Sequence, residues 1–207
     1  MKHYFHIDYK FTNTLDLKNN DAPNVEELFG EIFYNDYESD EPVKIGEVEL
    51  HFYNYAFVHF GFNLYDAFDR SSNTIRLGDV LIDYKTDEIK PKIEKLVGES
   101  LNENILVIQE FILFPDHRGK GFGEEIISGI ETFFKGKCGY ITLQSFPKQH
   151  DISLKNSARF KILKLDEMQK DIKKAQTSLN YFYEKCGYIK IDNKLNCYIK
   201  NIEPMWT

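Results

Sequence analysis

The alternation of apolar and polar residues is clearest in the second half of the chain. A nearly continuous apolar run from Ile105 to Phe114 predicts a central strand that is covered on both faces. Apolar residues then recur at helical spacing over 122–134, ahead of Gly136, and a second apolar run at 140–144 predicts another buried strand. Strand, crossover helix and strand together predict a right-handed βαβ unit with parallel strands.

The pattern continues to the carboxyl end of this half. Apolar residues spaced by three and four positions predict a long helix from Met168 to Phe182 that stops at Gly187. From Gly187 to Ile202 the residues alternate around Asp192 and Asn193, which predicts a closing hairpin.

The first half gives a weaker pattern. His3 to Phe11 favours a strand, and Asn24 is a typical helix cap, with Val25, Leu28, Phe29 and Ile32 following at helical spacing. The remaining expectations are one or two antiparallel strands over 44–62, an ambiguous segment over 63–76, a short strand over 79–83 and a short helix over 88–96.

Composition adds limits to this picture. A chain of 207 residues with 42% hydrophobic and 15% aromatic residues is long enough for one sizeable core, so we expect a single domain over 1–207, made of an amino-terminal part (1–104) and a core part (105–202). The amino terminus has no secretion signal and no apolar run is long enough to span a bilayer, so we expect a cytoplasmic protein without a membrane partner.

The cysteines and histidines do not suggest a metal site. Cys138, Cys186 and Cys197 are odd in number, are not paired in C-x-x-C spacing and are expected to be reduced thiols. None of the six histidines has the spacing of a known metal motif, so no metal is expected.

The net charge of −7 argues against general nucleic-acid binding, which depends on a basic surface. The net negative charge is concentrated in Asp21 to Glu49, which contains ten acidic residues and a single base, Lys44, so that the rest of the chain has a small net positive charge. This acidic stretch has two interpretations: a wall that attracts a cationic amine, or an ordinary solvated surface.

The candidate chemistry lies directly after the predicted central strand, in Arg118-Gly119-Lys120-Gly121-Phe122-Gly123. Glycines let a backbone turn sharply and approach a ligand closely, while the free N–H groups at a helix start favour a phosphate anion. The spacing lacks the third glycine of a dinucleotide-binding G-x-G-x-x-G and the G-K-[ST] ending of a nucleotide-hydrolysing phosphate loop. The segment is therefore expected to hold a diphosphate.

This strand, loop and helix resemble the first motif of the GNAT superfamily of N-acetyltransferases, whose pattern [RQ]-x-x-G-x-[GA] is met by Arg118, Gly121 and Gly123. A second match, Phe182-Tyr183-Glu184-Lys185-Cys186-Gly187-Tyr188, is similar to the family's Y-x-K-x-G-[FY] helix ending. The resemblance covers about 105–202. It implies an α+β fold with a mixed central sheet, a splayed pair of parallel strands and flanking helices.

The resemblance also implies an activity, the transfer of an acetyl group from acetyl-coenzyme A to an amine of a small molecule or peptide. Tyr183 would protonate the departing thiolate, and Glu110, the only acid of the central strand, would be the base, although Gln109 replaces the first acid of the family's acidic pair. A backbone N–H near Leu113 would polarise the thioester carbonyl. The expected coenzyme-binding residues are Leu113, Phe114, Arg118, Gly119, Lys120, Gly121, Phe122 and Gly123.

Several alternatives stay open at this point. The chain could be a GNAT-fold protein that binds acyl-coenzyme A for sensing or partner contact without turnover, or it could transfer a longer acyl chain. Tyr183 could instead be a core tyrosine, and Glu110 a carboxylate at the edge of the cleft. An insertion at about 145–166 could shape the acceptor pocket, form a homodimer contact or lengthen the last helix.

Overall fold

The computed structural model of the chain describes residues 3–12, 25–37, 41–61 and 63–205. The strands are β1 (His3–Thr12), β2 (Val25–Asp36), β3 (Val43–Tyr53), β4 (Ile82–Asp83), β5 (Glu88–Ile89), β6 (Ile105–Leu113), β7 (Tyr140–Gln144), β8 (Ile189–Asp192) and β9 (Cys197–Asn201). The helices are α1 (Leu64–Phe68), α2 (Ser72–Leu81), α3 (Pro91–Val97), α4 (Phe122–Phe134), α5 (Ala158–Ile162) and α6 (Ile172–Lys185).

Seven of these strands form one mixed sheet in the order β1-β2-β3-β6-β7-β9-β8, while β4 and β5 form a separate small ladder. Strands from both halves of the chain therefore share one sheet. Within this sheet β6 and β7 are parallel and every other neighbouring pair is antiparallel. The expected α+β fold with a parallel pair at its centre and flanking helices is confirmed.

Helices cover both faces of the sheet. On one face, α4 and α6 bury residues such as Ile127, Ile130 and Tyr183 against β3, β6 and β7. On the other face, α1, α2 and α3 bury a second cluster that includes Phe68 and Leu81. Because β6 lies between these two layers, its first four residues are all buried, and this explains why its sequence shows an apolar run rather than alternation.

Most elements of the second half match the sequence prediction. The central strand, the helix after the glycine loop, the next strand and the closing hairpin all form at the expected positions. The last helix is shorter than predicted, because it begins at Ile172 behind the cap Asp171, whereas Met168 lies in the preceding loop. Gly187 ends it with a φ of +85°, a conformation that favours glycine.

Two predictions for the first half are wrong. Residues 25–32 form a strand, β2, rather than a helix, because Leu28, Gly30 and Ile32 also alternate and are buried between β1 and β3. The predicted cap, Asn24, lies outside the described residues. Residues 79–81 belong to α2, so only Ile82 and Asp83 of the predicted short strand are in a strand.

The expected short helix after residue 88 is present as α3, and Pro91 occupies its first turn as predicted. The ambiguous segment over 63–76 forms α1 and the first half of α2. No helix of the described residues is long and apolar enough to cross a bilayer.

Candidate functional site

The centre of the sheet opens where β6 and β7 separate. Their parallel pairing ends at Ile108 and Leu143, whereas β6 continues to Leu113. One extra residue, Gln109, interrupts the register between β6 and β3, since Leu50 pairs with Ile108 and Glu49 with Glu110. A bulge of this kind bends its strand, and here it coincides with the point of separation.

A cavity of about 900 Å³ fills this opening, and its lining comes from both faces of the sheet. On the side of α4 and α6 it is lined by the glycine loop and by Leu179, Phe182 and Tyr183. The opposite end, which we call the acceptor end, is formed by Asn73, Arg76 and Leu77 of α2 together with Phe146 and Leu165 of the insertion and Met168 of the loop that follows it.

The glycine loop faces the cavity. Gly119 and Gly121 have φ values of +71° and +84°, which favour glycine, and Gly121 is the amino-terminal cap of α4. A Cβ atom on either residue would meet no heavy atom within 4 Å, so the surface of the loop is open. The free N–H groups in the first turn of α4, at Phe122 and Gly123, add a site that favours an anion.

Arg118 connects this loop to the end of β6. Its Nε donates a hydrogen bond of 2.7 Å to the carbonyl oxygen of Leu113, and its buried Nη2 has no hydrogen-bond partner among the described residues. Burial lowers the pKa of Arg118, but a guanidinium stays protonated at neutral pH. The loop therefore has a cation with an unused donor beside its open face.

Not every predicted coenzyme-binding residue lines the cavity. Leu113, Arg118, Gly119, Gly121 and Gly123 do. By contrast, the Phe122 ring stacks on Tyr34, the Phe114 ring packs against the insertion, and the Lys120 side chain is exposed outside the lining.

The backbone N–H of Leu113 points into the opening of the sheet. The N–H of Phe114 donates to the carbonyl oxygen of Ile45 at 2.7 Å, toward β3. Because successive N–H groups of a strand point to opposite edges, the N–H of Leu113 points away from β3, toward the opening between β6 and β7. A donor in this position faces the cavity.

Tyr183 lies on α6 and lines the cavity, although only 7% of its surface is exposed. Its hydroxyl makes no hydrogen bond with the described residues, and burial raises the pKa of the phenol well above its ordinary value of 10. The phenol therefore keeps its proton at neutral pH. Such a group can donate a proton to an anion that forms in the cavity.

Glu110 also lines the cavity, but both of its carboxylate oxygens are engaged. Lys148 Nζ lies 3.0 Å from one oxygen, and Arg159 Nη2 forms an ion pair with the other. Both cations come from the insertion. Whether Glu110 acts as a base stays a prediction, and its contacts are those of a carboxylate that holds the insertion on the sheet.

The insertion forms α5 and short 3₁₀ turns over 148–150 and 165–167, and it buries Leu163 and Leu165 against Ile112 of β6. Phe146, Lys148 and Leu165 of the insertion also line the cavity, so the insertion forms part of its wall, and a role in binding the acceptor stays a prediction. The acidic stretch forms no part of this wall, because none of its described residues is part of the cavity lining. Most of those residues lie instead on β2 and β3.

Sequence reasoning missed the contribution of α2. Asn73, Arg76 and Leu77 are spaced so that they share one helix face, but they belong to a segment whose pattern was ambiguous. In the sequence Gln109 stands out only as the replacement for the first acid of the family's acidic pair, and the bulge that it forms has no separate sequence signal. No group of three or more potential metal ligands is present in the described residues.

Comparisons with known proteins give a limited result. Neither protein-family models nor curated proteins match the chain. Among solved structures, a tyrosine-to-phenylalanine mutant of KacT is 10% identical with a TM-score of 0.44, and covers 98% of this chain and 96% of its own. AtaT complexed with acetyl-methionyl-tRNAfMet is 8% identical with a TM-score of 0.40, and covers 97% and 95%. Because these identities and TM-scores are low, the fold is assigned from the strand order. The candidate site is likewise assigned from its own geometry.

Proposed function

We propose that this protein is an N-acetyltransferase that uses acetyl-coenzyme A to acetylate a primary amine. The proposal depends mainly on one observation: an open loop with two left-handed glycines lines a cavity where two parallel strands separate. A loop of this kind suits the diphosphate of a coenzyme, and the cavity has the size of a small-molecule site.

Two kinds of group in the chain bind the diphosphate of the coenzyme. Main-chain N–H groups of Gly119, Gly121 and Gly123 hold the diphosphate, and the unused Nη2 of Arg118 supplies positive charge beside them. Glu124 lines the same part of the cavity, but Lys185 Nζ lies 2.6 Å from its carboxylate, so its charge is largely compensated.

The acetylated coenzyme supplies a thioester whose acyl group an amine can attack. The N–H of Leu113 points into the cavity and stabilises negative charge on the carbonyl oxygen. A C–N bond forms and the C–S bond breaks, while Tyr183 gives its proton to the sulfur. The proton that the nitrogen loses passes to water, and Tyr183 regains a proton from water.

The alternative is a protein that binds the coenzyme without turnover. Tyr183 favours the enzyme, because a protonated phenol without a hydrogen-bond partner in the described residues is placed in the cavity, where a core tyrosine has no need to be. The same features would also suit a donor with a longer acyl chain. Rates measured with a panel of acyl-coenzyme A donors distinguish acetyl transfer from transfer of a longer acyl group.

Two measurements test the proposal together. Calorimetry with acetyl-coenzyme A should show saturable binding, and Gly121→Val should weaken it, since a β-branched residue is strained at a φ of +84°. Thiol release should then appear with at least one amine of a broad panel. Tight binding without thiol release from any amine supports the alternative, and no binding removes the proposal.

A further inference from the structure

The charges at the acceptor end of the cavity limit the kind of amine that fits there. Three carboxylates of the described residues line the cavity, namely Glu110, Glu124 and Asp151. The first two are held in close ion pairs, as described above. Asp151 accepts hydrogen bonds of 2.9 and 2.6 Å from the backbone and hydroxyl of Ser153, and Lys148 lies 3.9 Å away. Each lining carboxylate of the described chain therefore already has a cation of the chain within 4 Å, and this leaves little negative charge to attract a polyamine.

At the acceptor end, by contrast, a positive charge has no partner among the described residues. All four arginines lie in the described residues. Arg70 pairs with Glu27 and Arg159 pairs with Glu47 and Glu110, whereas Arg118 donates to the Leu113 carbonyl beside the glycine loop, where the proposed diphosphate would meet its charge. Arg76 is the exception: it lines the acceptor end, is exposed there and makes no hydrogen bond or ion pair with a described residue. It therefore presents an uncompensated positive charge.

Two further features extend this positive character. Asn73 lies one helical turn before Arg76 on the same face of α2, so a carboxamide and a guanidinium line the acceptor end together. Residues 148–174, which cover most of the insertion and the start of α6, contain eight basic and four acidic residues. Several exposed lysines of this segment make no ion pair with the described residues, and they add to the positive potential. The exposed lysines are Lys155, Lys161, Lys164, Lys170, Lys173 and Lys174.

We infer that the acceptor is an amine whose carrier has an anionic group, a carboxylate or a phosphate, which Arg76 binds while Asn73 accepts or donates a supporting hydrogen bond. This inference rests on the proposed function, and it replaces the cationic amine that the acidic stretch suggested. Leu77, Phe146 and Met168 make the rest of the acceptor end apolar, which suits an α-amino acid with an apolar side chain. A guanidinium binds such an anion by paired hydrogen bonds.

The test compares matched acceptors in a thiol-release assay: leucine with leucinamide, phosphoethanolamine with ethanolamine, and spermidine as the cationic probe. Arg76→Gln should lower kcat/KM for an anionic acceptor about tenfold or more, and change it little for the neutral partner of the same pair. Arg76→Lys should restore part of the loss. For each acceptor, the kcat/KM of the variant is divided by that of the wild type. This ratio removes the effect of the different basicity of the amines.

The control is Arg70→Gln, because Arg70 is outside the cavity lining and should affect both members of each pair equally. The two pairs distinguish a carboxylate from a phosphate as the recognised anion. Equal effects of Arg76→Gln on anionic and neutral amines, or a preference for spermidine, would overturn the inference while leaving the acetyltransferase proposal intact.

A binding measurement keeps the inference testable if no amine is acetylated. With the protein saturated by coenzyme A, calorimetry should detect N-acetylleucine, should show weaker binding of N-acetylleucinamide, and should lose this difference in Arg76→Gln. Absence of thiol release with this pattern would reject turnover but support the anion site. Equal binding of the two products, or binding of neither, would overturn the anion site.

Discussion

Replacing Tyr183 by phenylalanine should slow turnover by about a hundredfold or more, because it removes the only proposed proton donor for the departing sulfur. The effect on folding should be small. The hydroxyl makes no hydrogen bond with the described residues, so its removal breaks no contact that we can identify, and the ring keeps its packing against Phe182 and Tyr188. The free energy of unfolding should change by less than about 0.5 kcal/mol.

The assay is steady-state thiol release at saturating acetyl-coenzyme A, with calorimetry of the coenzyme in parallel. A matched control is Tyr53→Phe, since the Tyr53 hydroxyl likewise has no partner in the described chain, and its ring stacks on Phe68 outside the cavity. The control should retain wild-type kcat. If Tyr183→Phe also retains it, with affinity and stability unchanged, Tyr183 is a core residue and the proton comes from elsewhere.

The pH dependence gives a second check on the same residue. A general acid works in its protonated form, so activity falls as pH rises through its pKa. Burial raises the pKa of Tyr183 above the ordinary value of 10. The kcat of the wild type should therefore show no loss from this group between neutrality and about pH 10. A loss of activity with an apparent pKa near 8, absent from Tyr183→Phe, would contradict this environment.

Three further predictions concern the frame of the site. Gly123→Ala should lower the free energy of unfolding, measured by denaturant titration, by about 1–3 kcal/mol. The reason is that the new Cβ would lie 3.1 Å from a ring carbon of Phe182, where α4 and α6 pack. An unchanged free energy of unfolding would mean that the Phe182 ring moves freely. Glu110→Gln and Lys148→Met should both increase proteolysis of the insertion, and a loss of kcat confined to the first variant would instead identify a base. Native Cys138 should resist alkylation at pH 8 and react after denaturation, since burial raises its pKa to about 12.

The sequence predicted the core of the site because its elements are fixed by local patterns. The apolar run of β6 requires cover on both faces, and Gly119 and Gly121 are needed where the chain turns with positive φ into α4. These features bring the loop to the end of the central strand in any compact arrangement. Tyr183 was predicted instead from the family resemblance of residues 182–188, and the structure places it on α6, which packs beside α4 on one face of the sheet.

The parts that were not predictable depend on contacts distant in sequence. Residues 25–32 fit a helical spacing as well as a strand, and pairing with β1 and β3 decides between the two. The role of Glu110 depends on Lys148 and Arg159, which reach it from the insertion. In the same way, Arg76 reaches the acceptor end only because α2 packs across the sheet beside β7.

In the proposed enzyme, main-chain amides of the glycine loop hold the diphosphate of coenzyme A. The most direct test is a titration of ¹⁵N-labelled protein with coenzyme A, followed through the backbone amide resonances of the glycines. The largest shifts should fall on Gly119, Gly121 and Gly123, with Gly30 and Gly61, outside the cavity lining, as internal controls. Saturable binding that leaves the three loop glycines unshifted, or no binding at all, would contradict the account.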